Sequence, residues 1–301
     1  MIQNLLFSVG IALCTAFGVH AQEVGHADIG TYYQKEGCAA YSAMRHGTDG
    51  ALFLDPYFIS YLHSLEGQEV LDAGCGSAPW AIYSAKNGAK VLAIDLQEEM
   101  LSLAQDAVNQ AGVGDRVSLV QGDVARLPAL SAFFDLTLSV NVGCNLPSTA
   151  QVNGSLIGLG PHIREMARVL KEGGIAVVTA PASLAVVFAN GAPHETVHEH
   201  ISAILQGLPS YPTSKEIVAH LNELKEINRA TFAVKSGRLV LIQDESELEP
   251  GEEIWRKLPG LTVPNRYHPE SEYLQEFADA GLVVKECFHP HFRGRAQWSE
   301  Y

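Results

Sequence analysis

Val70-Leu71-Asp72-Ala73-Gly74-Cys75-Gly76-Ser77-Ala78-Pro79-Trp80 decides the fold of this 301-residue chain. A short apolar run ends in the carboxylate of Asp72, the pattern of a buried parallel strand. Gly74 and Gly76 then permit a tight turn and a close backbone approach to a bound group. Pro79 suits the first turn of a helix, where its missing N–H costs nothing. The helix predicted onward through Asn87 stops at Gly88. Val91-Leu92-Ala93-Ile94 is a second apolar strand, closed by Asp95. Strand, glycine turn, helix, strand, acid is the first half of a dinucleotide-type βαβ unit.

A nicotinamide or flavin site wants Gly-x-Gly-x-x-Gly, and the third glycine's place is taken by Pro79. Asp72 also stands two residues before the first glycine, where it would repel a pyrophosphate docked on the helix N-terminus. A cationic ligand fits better. S-adenosylmethionine carries a sulfonium and an ammonium and no phosphate. Asp72-x-Gly74-x-Gly76 together with Asp95 resembles the first two motifs of class I S-adenosylmethionine-dependent methyltransferases. Arg168-Val169-Leu170-Lys171-Glu172-Gly173-Gly174 resembles a junction in small-molecule methyltransferases of the menaquinone and ubiquinone biosynthesis type, and the resemblance covers about residues 68–180.

That resemblance implies an α/β fold: a doubly wound, mostly parallel Rossmann-like sheet with helices on both faces and an inserted lid before the sixth strand. It implies S-adenosylmethionine as cofactor and a small molecule as methyl acceptor. Asp72 would face the methionine end, and the turn at Gly74 and Gly76 would bring backbone up to the ligand. Asp95 would accept from the ribose hydroxyls, as the corresponding acid does for the ribose of NAD. Asp123 follows the third strand and would bind the adenine amino group, with Leu96 and Val124 against the ring. Asn141 opens the loop Asn141–Pro147, expected beyond the fourth strand, where methyl and acceptor would meet. If the acceptor is a hydroxyl, Tyr33, His162 and His268 are the candidate bases.

Further strands are predicted at Val117–Val120, Phe133–Val140 and Ile175–Ala180, with helices at Glu98–Gly112 and Ile163–Leu170. Phe53, Tyr57, Tyr61 and Leu65 recur at helical spacing, and Tyr32 and Tyr33 are placed to cover the cofactor. The expected methyltransferase domain is 30–301, with 183–268 inserted as lid and substrate wall. Within the insert, Ser183–Asn190 and Thr213–Asn228 read as helices. Thr231–Val234 and Leu239–Ile242 read as a hairpin, and the Pro/Gly-rich 254–268 as loop. Ser271 is expected to cap a helix through Ala280, and Val283–Phe288 to form the sixth strand.

The net charge of -14 argues against a nucleic-acid partner. Residues 1–21 form an apolar leader resembling a signal peptide or anchor, short for a spanning helix and lacking a basic n-region. No other membrane partner is expected. Cys38, Cys75, Cys144 and Cys287 form no close pair and suit free thiols, so leader and cysteines point to different compartments. Two rival functions are open. His194-Glu195-Thr196-Val197-His198 matches the H-E-x-x-H helix of secreted zinc proteases. Pro193 and the close spacing of His200 argue against that helix and its third ligand, so no metal is expected. A non-catalytic S-adenosylmethionine-binding protein is the other.

Overall fold

In the computed structural model the decisive stretch folds as strand, turn and helix. The structure describes residues 38–39, 41–43, 64–179, 187–188, 201, 205–224, 227–258, 261–285 and 287. β1 (Glu69–Ala73) is followed by α1 (Pro79–Lys86), β2 (Lys90–Asp95), α2 (Glu98–Ala111), β3 (Val117–Gln121) and β4 (Phe134–Val140). A small hairpin, β5 (Ala150–Val152) and β6 (Ser155–Ile157), leads into α3 (Leu159–Val169) and β7 (Leu170–Thr179). These strands make a five-stranded sheet in the order β3-β2-β1-β4-β7, and every pairing in it is parallel.

The central position of β1 explains its composition. Val70 packs with Ala81 and Ala85 of α1 and Ala104 and Val108 of α2. Its neighbour Leu71 points to the opposite face, against Ile94, Phe134 and Val169. Both side chains are fully buried, each contributing about 1.5–3 kcal/mol of apolar burial. The strand order reverses between β1 and β4, so their carboxyl ends diverge and leave a crevice there.

A second sheet is built from the insert. Its order is β10-β9-β11-β12, antiparallel throughout: β9 (Ile227–Lys235), β10 (Arg238–Ile242), β11 (Glu253–Leu258) and β12 (Leu261–Arg266). Ser236 and Gly237 turn the expected hairpin with φ of 50° and 78°, as a two-residue connection requires. α4 (Ser214–Glu223) carries a capping box between Thr213 and Glu216. Ile217 and Leu221 of α4 share a core with Phe232, Leu239 and Trp255.

Several expectations need correction. The 254–268 loop is the β11–β12 pair. Pro264 lies on β12, an edge strand that pairs only with β11, where a missing N–H is tolerated. Val187–Phe188, expected as helix, is a short strand (β8) antiparallel to β9. The helix expected through Asn228 ends at Glu223, because Ile227 already belongs to β9. α5 (Glu270–Asp279) is preceded by Pro269 as its cap, with Ser271 inside the first turn. Val283 and Val284 are 86% and 42% exposed and Val283–Lys285 form no strand, so the sixth strand does not begin there. The β5–β6 hairpin was not expected, although Asn153-Gly154, with φ of 50° and 83°, is a strong hairpin signal. The leader, the Tyr32–Tyr33 pair and the stripe at Phe53, Tyr57 and Tyr61 lie outside the described residues.

Candidate functional site

At the carboxyl ends of β1, β2 and β4 the chain leaves a cleft of about 1000 Å³, part of it open to solvent. Asp72, Gly74, Gly76, Asp95, Leu96, Asp123, Val124 and Asn141 all line it. These are the eight positions singled out in the sequence for cofactor contact, brought together from three strand ends and one loop.

The turn is built by its backbone. Gly74 and Cys75 donate N–H bonds to the Ile94 carbonyl at 2.7 and 2.9 Å, fastening the turn to β2. Gly74 has φ 78°, and a Cβ there would stand 2.5 Å from Val142 Cγ2. Only glycine combines that conformation with that approach. Asp95 receives the Gly76 N–H on Oδ2 at 2.8 Å and the Gln97 N–H on Oδ1 at 2.9 Å. Two backbone donors thus fix the carboxylate plane. Burial nevertheless raises its pKa above the ordinary 3.8, outweighing the bonds from Gln97 and Gly76 that lower it.

Asp72 is 1% exposed and accepts the Ala81 N–H on Oδ2 at 3.1 Å. Ala78 precedes α1 without a side-chain cap, so Asp72 serves the helix from the neighbouring strand. Asp123 accepts the Ala125 N–H on Oδ1 at 2.8 Å, which rigidifies the turn after β3. Asn141 ends β4 in a left-handed conformation, φ 56°, with its N–H on the Thr179 carbonyl at 3.0 Å. Its own carbonyl accepts from Asn145 Nδ2 at 3.3 Å.

Two of the three expected bases, His162 and His268, are not at the cleft. His162 is fully buried under the sheet, with Nε2 2.8 Å from Ser139 Oγ and Nδ1 3.4 Å from the Val124 carbonyl. Burial drops its pKa to about 4. His268 has an inaccessible side chain, Nδ1 3.0 Å from Glu272 and Nε2 2.8 Å from the Leu146 carbonyl. Both rings have their two nitrogens engaged and neither lines the cleft. Tyr33 and the His194–His198 motif lie outside the described residues. Among the described residues no group of three or more His, Cys, Asp and Glu is arranged to hold a metal.

Sequence reasoning missed Tyr41, Trp80 and Met100, which also line the cleft, as does Asn145 of the expected Asn141–Pro147 loop. Trp80 and Met100 occupy the first turns of α1 and α2, so their helix starts were the available signal. The second sheet reaches the cleft indirectly: Asn265 of β12 donates Nδ2 to Asn145 Oδ1 at 3.0 Å. Trp255 is buried in the second core, Tyr211 is 79% exposed, and Tyr267 bonds Glu245. None of those three lines the cleft.

The cleft lies at the switch point of an α/β sheet, with carboxylates where a pyrophosphate binder would keep bare N–H groups. Residues 70–174 match the family model described as a methyltransferase domain. Methyltransferase GfsG of Streptomyces halstedii is 36% identical over 109 residues, 36% of this chain and 36% of that protein. Demethylmenaquinone methyltransferase of Lactiplantibacillus plantarum is 35% identical over 119 residues, 38% of this chain and 46% of that protein. The chain thus spans less than half the length of either relative. A solved S-adenosylmethionine-dependent methyltransferase of Mesorhizobium loti is 18% identical with a TM-score of 0.42, covering 77% of this chain and 81% of its own.

Proposed function

We propose that this chain transfers a methyl group from S-adenosylmethionine to a small-molecule acceptor. One observation carries the reading. Asp72, Asp95 and Asp123 line a single cleft that has no Lys, Arg or His among its described lining residues. Such a cleft suits a ligand bearing positive charge and ribose hydroxyls, and repels a phosphate. When bound, S-adenosylmethionine supplies a methyl group on a sulfonium that leaves without help from an acid.

The chain's own residues do the rest. Asp72 holds its negative charge beside the glycine turn, where it favours the ammonium end of the ligand. Asp95, oriented by Gly76 and Gln97, presents its remaining lone pairs to the ribose hydroxyls. Asp123 accepts from the purine amino group, and Leu96 and Val124 flank the ring. Alignment and water exclusion then carry catalysis. His162 and His268 are committed elsewhere, so neither serves as the base for an acceptor. The insert acts on the acceptor side through the loop Asn141–Pro147, which it grips by Asn265 and His268.

Calorimetric titration with S-adenosylmethionine and S-adenosylhomocysteine tests the reading. Saturable binding of both is expected, and binding of neither overturns it. Labelled-methyl transfer to a panel of amines and thiols then separates an enzyme from a non-catalytic binder.

A further inference from the structure

Twelve residues, 122–133, connect β3 to β4 without a helix or strand. Backbone polar groups in such a segment need partners, and one face of α3 provides them. His162, Glu165 and Arg168 recur every third residue, so they project along the same side. Glu165 accepts the Leu127 N–H on Oε2 at 2.8 Å. Arg168 donates to the Leu127 and Ala129 carbonyls at 3.1 and 3.0 Å, and to Ser131 Oγ at 3.0 Å. The two side chains are themselves paired at 2.7 Å. His162 completes the row at the segment's cleft end, on the Val124 carbonyl.

We propose that His162 is a positioning residue that sets the base specificity of the nucleoside site, by holding Val124, and with it Asp123, against the purine. The inference rests on the cofactor reading above. One tautomer serves both contacts: Ser139 Oγ–H donates to Nε2, and Nδ1–H donates to the Val124 carbonyl. Ser139 lies on β4, between β1 and β7, and is 0% exposed. His162 therefore ties the loop that carries Asp123 to the buried side of the parallel sheet. Among the described lining residues, Asp123 is the carboxylate that follows β3, where the cofactor reading places the base. Its carboxylate faces an adenine favourably, and a hypoxanthine, with a carbonyl oxygen at the same place, unfavourably. Any slackening at Val124 moves Asp123 and blurs that distinction.

The test compares binding of S-adenosylhomocysteine and S-inosylhomocysteine to the full chain and to His162→Ala, His162→Asn and His162→Gln. Asparagine places its amide near the Nδ1 position and keeps a donor for Val124, whereas glutamine reaches the Nε2 position and keeps only Ser139. The wild type is expected to prefer the adenosyl ligand by about tenfold or more, one charge-assisted hydrogen bond. His162→Ala and His162→Gln should lose most of that preference, and His162→Asn should retain it. Parallel loss of both ligands in every variant, with the preference unchanged, would mean a merely structural histidine and overturn the proposal. A wild type that binds neither ligand would instead overturn the cofactor reading itself.

Discussion

Ala81 donates its backbone N–H to Asp72 Oδ2 at 3.1 Å, so the carboxylate that closes β1 also caps α1. Asp72 thereby joins strand, helix and cleft in one side chain. The two roles separate by substitution. Asp72→Asn keeps an acceptor oxygen for the helix and removes the charge from the cleft. It is expected to unfold within about 1 kcal/mol of the wild type while binding S-adenosylmethionine more weakly. Asp72→Ala loses both roles, and its thermal unfolding should show a loss of roughly 1–3 kcal/mol.

Asp95 behaves differently, because two N–H donors face its two oxygens. An asparagine would turn an amide N–H toward one of those donors. Asp95→Asn should therefore fare almost as badly as Asp95→Ala, each losing roughly 1.5–3 kcal/mol of S-adenosylmethionine affinity by calorimetry. Glu98→Ala, one helical turn away, should leave affinity intact. The pH dependence has a definite sign. Burial raises the Asp95 pKa, so acidification neutralises it earlier than an ordinary aspartate. Ligand affinity should fall on the acid side, and that limb should vanish in Asp95→Ala.

Gly74→Ala should be costly and Gly112→Ala mild, although both have positive φ, 78° and 67°. At Gly112 nothing lies within 4 Å of an added Cβ, leaving only the left-handed backbone penalty of about 1–2 kcal/mol. At Gly74 the same penalty is joined by overlap with Val142, for a total of roughly 2–4 kcal/mol. Chemical denaturation of the two variants compares them directly, and equal losses would refute the close approach.

His162 carries an acid-sensitive contribution to stability. Burial lowers its pKa from 6.5 to about 4, so between those values the unfolded chain holds a proton that the folded one does not. Stability is therefore complete above about 6.5 and falls as pH drops toward about 4. The loss is on the order of 3 kcal/mol. Thermal melts of His162→Gln across this window should lack that slope.

Asn265→Leu tests the link between the second sheet and the cleft. The variant deprives Asn145 Oδ1 of its donor without replacing a residue that lines the cleft. Cofactor affinity should hardly change, while methyl transfer slows. A variant with full turnover would remove the insert from the acceptor side.

The first sheet was legible because its signals are local. Asp95 and Gly112 mark element ends by their own chemistry, and Val70 and Leu71 read as a doubly buried strand from adjacent positions. The cleft lies at strand ends, and the eight residues that the methyltransferase resemblance implies line it. The errors have a different origin. Pro264 reads as a loop breaker until β12 is known to be an edge strand, which depends on pairing partners elsewhere. His162 and His268 look like available bases, yet their partners Ser139 and Leu146 lie 23 and 122 residues away. No window of sequence contains those bonds.

The second sheet keeps its own apolar core, in which Phe232 and Trp255 meet Ile217 and Leu221 rather than the first sheet's residues. The family match ends at Gly174, early in β7, before that core begins. Mutations on the two sides of this boundary are screened by different packing constraints. The far half can therefore be rewritten while the near half, with Asp72 and Asp95, stands still. The seam at Asn145 and Asn265 is where such rewriting would have to stay compatible.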